Sequence, residues 1–117
     1  MSTERWKPSV TVAAVIEHGG RFLLVEEETA DGLRLNNPAG HLDPGESPLQ
    51  GVVREALEET ARVFTPRALV GVYMSRFQRQ RTTPASPPSN PGNLIEDVTY
   101  LRFAYGGSVG EIDPRRS

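Results

Sequence analysis

Residues 40–62 read GHLDPGESPLQGVVREALEETAR, and this stretch decides the fold class. Ser47 stands where a helix N-cap is wanted, Pro48 takes the first helical position and Gln50 lies three residues after the cap. That is a capping-box pattern with the proline placed where its missing N–H costs nothing. Leu49, Val52, Val53, Ala56 and Leu57 then recur at helical spacing, so a helix from Ser47 to about Arg62 with one apolar face is predicted. Its other side carries Arg54, Glu55, Glu58, Glu59 and Arg62. Glu55, Glu58 and Glu59, at i, i+3 and i+4, fall within an arc of about 100°. Three carboxylates that close repel one another, and a divalent cation is the natural counter-charge.

Outward from the helix the chain reads as strands. Ser9–Ile16, SVTVAAVI, is rich in β-branched residues; His18-Gly19-Gly20 is a turn; Arg21–Glu27, RFLLVEE, is the second arm of a hairpin. Leu33–Leu35 is a short strand, and Asn36–Gly45, with Pro38, Gly40, Pro44 and Gly45, reads as loop. Ala68–Ser75 and Leu94–Tyr105 are the remaining strands. Between them Gln78–Asn93 is polar, holds Pro84, Pro87, Pro88 and Pro91, and is expected to be weakly ordered or to form a loop near the substrate entrance. Strands around few helices give an α/β or α+β layered class.

The composition narrows the chemistry. With 117 residues there is room for one domain. Thirteen Lys and Arg against fifteen Asp and Glu give a net charge of -2, which disfavours a specific nucleic-acid partner. No apolar run approaches the roughly 20 residues that span a bilayer, and MSTERWKPS lacks the apolar core of a secretory signal, so a cytoplasmic location without membrane attachment is expected. There is no Cys, and His18 and His41 are the only histidines. Thiolate nucleophiles and Cys- or His-rich metal sites are therefore excluded, and a metal must be held by oxygen, as Mg²⁺, Mn²⁺ or Ca²⁺ are.

The stretch from Gly40 resembles the Nudix box, G-x5-E-x7-R-E-U-x-E-E-x-G-U with U a bulky apolar residue. Gly40, Glu46, Arg54, Glu55, Glu58 and Glu59 match six of its seven fixed positions. At roughly 5–7% usage per residue type, the chance of that match in a given window is on the order of 10⁻⁷. Two positions depart: Ala61 replaces the late glycine and Arg62 the final apolar residue. KPSVTVAAVI, RFLLVEEE and NNPAGHLDPGES are most similar to the NudJ phosphatase group of that superfamily. The resemblance implies a Nudix-like α/β/α sandwich with a mixed sheet, as a single domain over residues 1–117 shortened by the C-terminal strand and helix of the usual fold. It implies hydrolysis of phosphoanhydride bonds in nucleoside di- or triphosphates, or in thiamine or pyrimidine pyrophosphates, with Mg²⁺ or Mn²⁺. Glu55, Glu58, Glu59 and the Gly40 carbonyl would hold metal, while Arg54 orients the carboxylates and Glu46 supports Arg54 or the metal.

Other residues are weaker candidates. Arg34, Arg76 and Arg102 are expected to meet substrate phosphate, since guanidinium suits it bidentately. The resemblance also implies a late metal-binding or water-activating carboxylate, for which Glu96, Asp97, Glu111 and Asp113 are candidates, each otherwise a solvated surface carboxylate. His41 lies beside Gly40, and Trp6, Phe22, Tyr73, Phe77 and Tyr100 are rings that serve either the core or base stacking. A non-catalytic nucleotide- or metabolite-sensing module of the same fold is the competing function. Because the carboxylates repel, Gln at 58 or 59 is expected to leave the metal-free protein as stable or more so.

Overall fold

The computed structural model describes residues 5–81 and 94–112. Strand β1 (Ser9–His18) is central. It pairs in parallel with β7 (Leu94–Ile112), and β7 pairs antiparallel with β6 (Arg62–Arg81). On its other side β1 pairs antiparallel with β2 (Arg21–Phe22) and with β5 (Ala39–His41). β3 (Val25–Thr29) and β4 (Gly32–Asn36) form a separate antiparallel hairpin. The mixed sheet and the α+β class follow the sequence expectation.

Helix α1 (Pro48–Thr60) covers one face of the sheet. Both halves of the capping box form: the Gln50 N–H donates to Ser47 Oγ at 3.1 Å and the Ser47 N–H to Gln50 Oε1 at 2.9 Å. Val52 and Ala56 of the helix pack on Val12, Ala14 and Ile16 of β1 and on Phe64 of β6, all buried. Burying each large side chain of that set contributes about 1.5–3 kcal/mol. Thr11, Ala13 and Val15 alternate to the opposite face, where they line an open cleft.

Several boundaries differ from the sequence reading. The predicted second strand is two: Arg21–Phe22 pairs with β1 and Val25–Thr29 with β4. The Asn36–Gly45 loop contains β5, whose residues pair with Thr11–Ala13. Gln78–Arg81, expected to open a loop, instead extends β6 against Leu94–Asp97, and the rest of that segment lies outside the described residues. β6 accommodates Pro66 because it is an edge strand with a register shift between Pro66 and Ala68.

The helix exit explains one departure from the box. Ala61 is the C-cap in the left-handed conformation, φ 59° and ψ 23°, with its N–H donating to the Leu57 carbonyl at 2.9 Å. The turn that glycine makes freely is therefore made by alanine, at a steric cost. Ala61→Gly is expected to stabilise the fold by about 1 kcal/mol, measured as a higher chemical-denaturation midpoint.

Candidate active site

The site is organised around one guanidinium. Arg54 Nε donates to Glu46 Oε2 at 2.7 Å and Nη2 to Glu46 Oε1 at 3.0 Å, a bidentate fork. Nη2 also reaches the His41 carbonyl at 3.0 Å, and Nη1 donates to Glu55 Oε1 at 2.9 Å and to Glu58 Oε2 at 3.2 Å. Asp43 Oδ2 lies 3.2 Å from Nε. The loop is shaped to permit this. The Asp43 N–H donates to Glu46 Oε1 at 2.9 Å, and a Cβ at Gly51 would meet Leu42 Cδ1 at 2.5 Å and Glu46 Oε1 at 3.0 Å. Glycine at 51 thus lets the loop lie against the helix.

Electrostatics follow the bonds. The Arg54 fork, with the Asp43 N–H second, holds the Glu46 carboxyl below its usual range, and Glu46 chiefly raises the pKa of Arg54. Glu59 behaves oppositely. Partial desolvation pushes its carboxyl up; the Ala39 N–H, donating to Oε2 at 3.3 Å, opposes this, and the charges of Glu55 and Glu27 add to it.

Gly40 sits on β5 directly over Glu55, and a Cβ there would run into the Glu55 carboxyl. Glu55 is 14% exposed and Glu58 49% exposed, so the carboxylates differ in setting. Among the described residues no three Asp, Glu or His side chains converge as a ready-made cation cage. Arg54 draws Glu55 and Glu58 toward itself, while Glu59 turns to Ala39. Glu55 and Glu59 nevertheless stand close enough for the Glu55 charge to bear on Glu59. Two hard oxygen donors set against β5, one of them carrying its charge at a cost, fit a Mg²⁺-type cation.

The cleft, about 760 Å³, lies on the sheet face away from α1 and is walled at one end by Ala39, Gly40 and His41. The three candidate arginines are not brought together. Arg102 lies on the cleft floor, its Nε 3.4 Å from Thr11 Oγ1. Arg34 is exposed on β4, in register with Glu27 of β3. Arg76 is on the other sheet face with its fork on Asp97, at 3.1 and 2.5 Å. That pair lowers the Asp97 carboxyl's pKa and raises that of Arg76. Glu111 is exposed on β7, Glu96 is on the same strand, and Asp113 lies outside the described residues. The His41 and Tyr100 rings are 5.8 Å apart at the cleft, with Phe77 5.7 Å from Tyr100. Phe22 and Trp6 are exposed, and neither lines the cleft. Glu27 was not foreseen: it lines the cleft and accepts from Asn36 Nδ2 at 2.9 Å. In sequence it is one acid of an EEE run on a surface hairpin, which gives no signal.

Arg54 thus gathers Glu46 of the loop before the helix and Glu55 and Glu58 of the helix itself. The family model of the NUDIX domain matches residues 5–116, and the chain belongs to the NUDIX domain family. It is 42% identical over 110 residues to "Phosphatase NudJ" of Escherichia coli strain K12 and to that of Shigella flexneri, over 93% of this chain and 60% of each relative. The chain thus spans 60% of the length of these curated relatives. A solved NUDIX hydrolase from Nitrosomonas europaea is 45% identical with a TM-score of 0.71, over 95% of this chain and 65% of the other. A UDP-X diphosphatase structure shares the fold at 21% identity and a TM-score of 0.62, over 97% of this chain and 49% of the other. No helix among the described residues is long and apolar enough to cross a membrane.

Proposed function

We propose that this chain carries out Mg²⁺-dependent hydrolysis of phosphoanhydride bonds in nucleoside di- or triphosphates or in related small pyrophosphates, such as thiamine or pyrimidine pyrophosphates. The observation that carries the reading is the clamp of Arg54 on Glu46 and Glu55, with Glu59 nearby, set against the β5 strand that walls a cleft large enough for a nucleotide. The resemblance to phosphatases supports the reaction class.

In this reading Glu55, Glu58, Glu59 and the Gly40 carbonyl hold the cation, with Mn²⁺ as a substitute. When bound, it would lower the pKa of a water and neutralise charge on the phosphoryl oxygens. Arg54 fixes the Glu55 and Glu58 rotamers, so little reorganisation is left for the reaction step. Glu46 holds Arg54 in turn. Arg102 supplies a fixed positive charge on the cleft floor for substrate phosphate. The expected location is the cytoplasm, and the partner a small phosphorylated metabolite rather than nucleic acid.

The test is a screen of nucleotides and pyrophosphates with phosphate and pyrophosphate detected separately, which reports substrate and cleaved bond together. Turnover is expected to vanish in excess chelator and to return with Mg²⁺ or Mn²⁺. Full activity in chelator would rule this mechanism out, and tight binding without turnover would mark the sensing module instead.

A further inference from the structure

Strand β6 is the outer edge of the sheet, and nothing among the described residues pairs with its free side. Its two halves differ. From Arg62 to Gly71 the ladder with β7 shifts register three times and passes Pro66, and both devices keep an edge from pairing further. From Gly71 to Arg81 the ladder is unbroken. That half is apolar where an edge is normally guarded: Val72, Tyr73, Met74 and Phe77 are all exposed, Met74 by 65%. Arg76, its one charge among the described side chains, is already taken by Asp97.

The same half outruns the rest of the sheet. β1 joins β7 only from Tyr100 onward, opposite Ser9, and Tyr100 stands opposite Ser75 of β6. Arg76–Arg81 and Leu94–Thr99 therefore form a ribbon of two strands, with no third strand beside it among the described residues. A two-stranded ribbon is marginal in water, and a third strand is what stabilises it.

We infer that β6 pairs antiparallel with β6 of a second copy of this chain, about a two-fold axis at Ser75. With Ser75 opposite itself, Arg76–Arg79 of each ribbon runs beside the partner's Met74–Gly71 stretch, which β7 and β1 back. Each copy thus supplies the strand the other lacks. Charge selects this register: no arginine of β6 stands opposite another, and Arg76 stands opposite the partner's Met74. Moving the axis one residue on, to Arg76, would set two guanidiniums against each other. Tyr73 falls opposite the partner's Phe77 twice over, an aromatic cross-strand pairing that sheets favour. Leu69, Val70, Val72, Tyr73, Met74 and Phe77, each about half exposed, offer on the order of 500 Å² of apolar surface per copy. With the backbone edge added, this approaches the roughly 800 Å² per partner of a stable interface. Tyr73 and Ser75 line the cleft, so the partner's Phe77 stands at its open side.

The chain has no cysteine, so single cysteines introduced into it report the register without background. Directly opposed residues of antiparallel strands have Cα atoms about 4.5–5.5 Å apart, within disulfide range. Val72 and its counterpart would stand about 20 Å apart along the strands. Under mild oxidation Ser75→Cys is expected to form a disulfide-linked dimer on non-reducing gels, and Val72→Cys to form none. Sedimentation velocity of wild type, diluted from about 100 to about 1 μM, is expected to show a dimer that dissociates. Phe77→Thr keeps strand propensity and is expected to raise the dissociation constant about tenfold, because both symmetry-related aromatic pairs are lost. A wild type that sediments as a monomer at about 100 μM overturns the inference. So does a Ser75→Cys variant that cross-links no better than Val72→Cys, or an unaltered dissociation constant in Phe77→Thr.

Discussion

Glu59→Gln is expected to lower kcat/KM by about two to three orders of magnitude while leaving the metal-free protein as stable as wild type or more so. The activity arm follows from the proposed role: a cation ligand contributes several kcal/mol to stabilising the charge that develops in phosphoryl transfer, and each 1.36 kcal/mol is tenfold in rate. The stability arm follows from the carboxyl's setting. Desolvation raises its pKa first, and the neighbouring charges of Glu55 and Glu27 raise it further. A carboxyl whose pKa rises on folding adds stability below its unfolded pKa and gives it up as the pH climbs through the folded value. At neutral pH the native charge is therefore held at a cost, which Gln removes. Thermal melts in chelator should show the variant's advantage at pH 7 shrinking as the pH falls into the carboxylate range. Glu58→Gln should differ. The sequence treats the two acids alike, but Glu58 accepts from Arg54 at 3.2 Å across one helical turn and is half exposed. Its replacement loses an exposed ion pair of about 0.3–0.5 kcal/mol, so stability should fall slightly. If Glu59→Gln melts well below wild type in chelator, Glu59 is a structural partner of Ala39 and the crowding argument fails.

What the sequence makes legible is what local chemistry determines. Ser47, Pro48 and Gln50 specify where α1 starts without reference to the rest of the chain, and the observed cap is the predicted one. Val52 and Ala56 were placed on the buried face by spacing alone. Pairing is different, because a strand's length and partner depend on residues far away. Arg21–Glu27 has one continuous strand pattern, yet its two ends serve different partners, and only tertiary contact divides them at Leu23 and Leu24. Ala39-Gly40-His41 has little strand propensity and pairs with β1 because the capped helix and its loop hold it there. The site divides in the same way. The box residues are adjacent in sequence or one helical turn apart, so their meeting is readable. Glu27 enters from a separate hairpin, and Arg76 leaves because strand alternation and Asp97 hold it on the other face. The cleft floor needs the registers of four strands at once, which no single segment encodes.

Arg54→Met is expected to cost about 2 kcal/mol or more of stability and to lower kcat/KM about a hundredfold, with Arg54→Lys recovering little of either. Arg54 ties Glu46 and Glu55, which are 13% and 14% exposed, to the His41 carbonyl and to Glu58. Methionine fills the volume of the stem but removes the cation that Glu46 and Glu55 share, leaving Glu46 with the Asp43 N–H. Lysine restores a charge and not the planar fork that meets both Glu46 oxygens at once. The pH dependence separates this loss from that of a merely bulky core residue. Arg54 holds the Glu46 carboxyl below its unfolded value. The stability so gained is present above the unfolded carboxylate pKa and is lost as the pH falls through the folded one. Wild type and Arg54→Met should therefore differ most near neutral pH and converge in acid, below about pH 4. Glu59→Gln and Arg54→Met then both abolish most turnover while moving the melting temperature of the metal-free protein in opposite directions. One removes a charge the fold holds at a cost, and the other removes the group that makes such crowding tolerable. Equal melting temperatures for wild type and Arg54→Met at pH 7 would show that the clamp adds nothing to stability, and the organising role given to Arg54 would have to be abandoned.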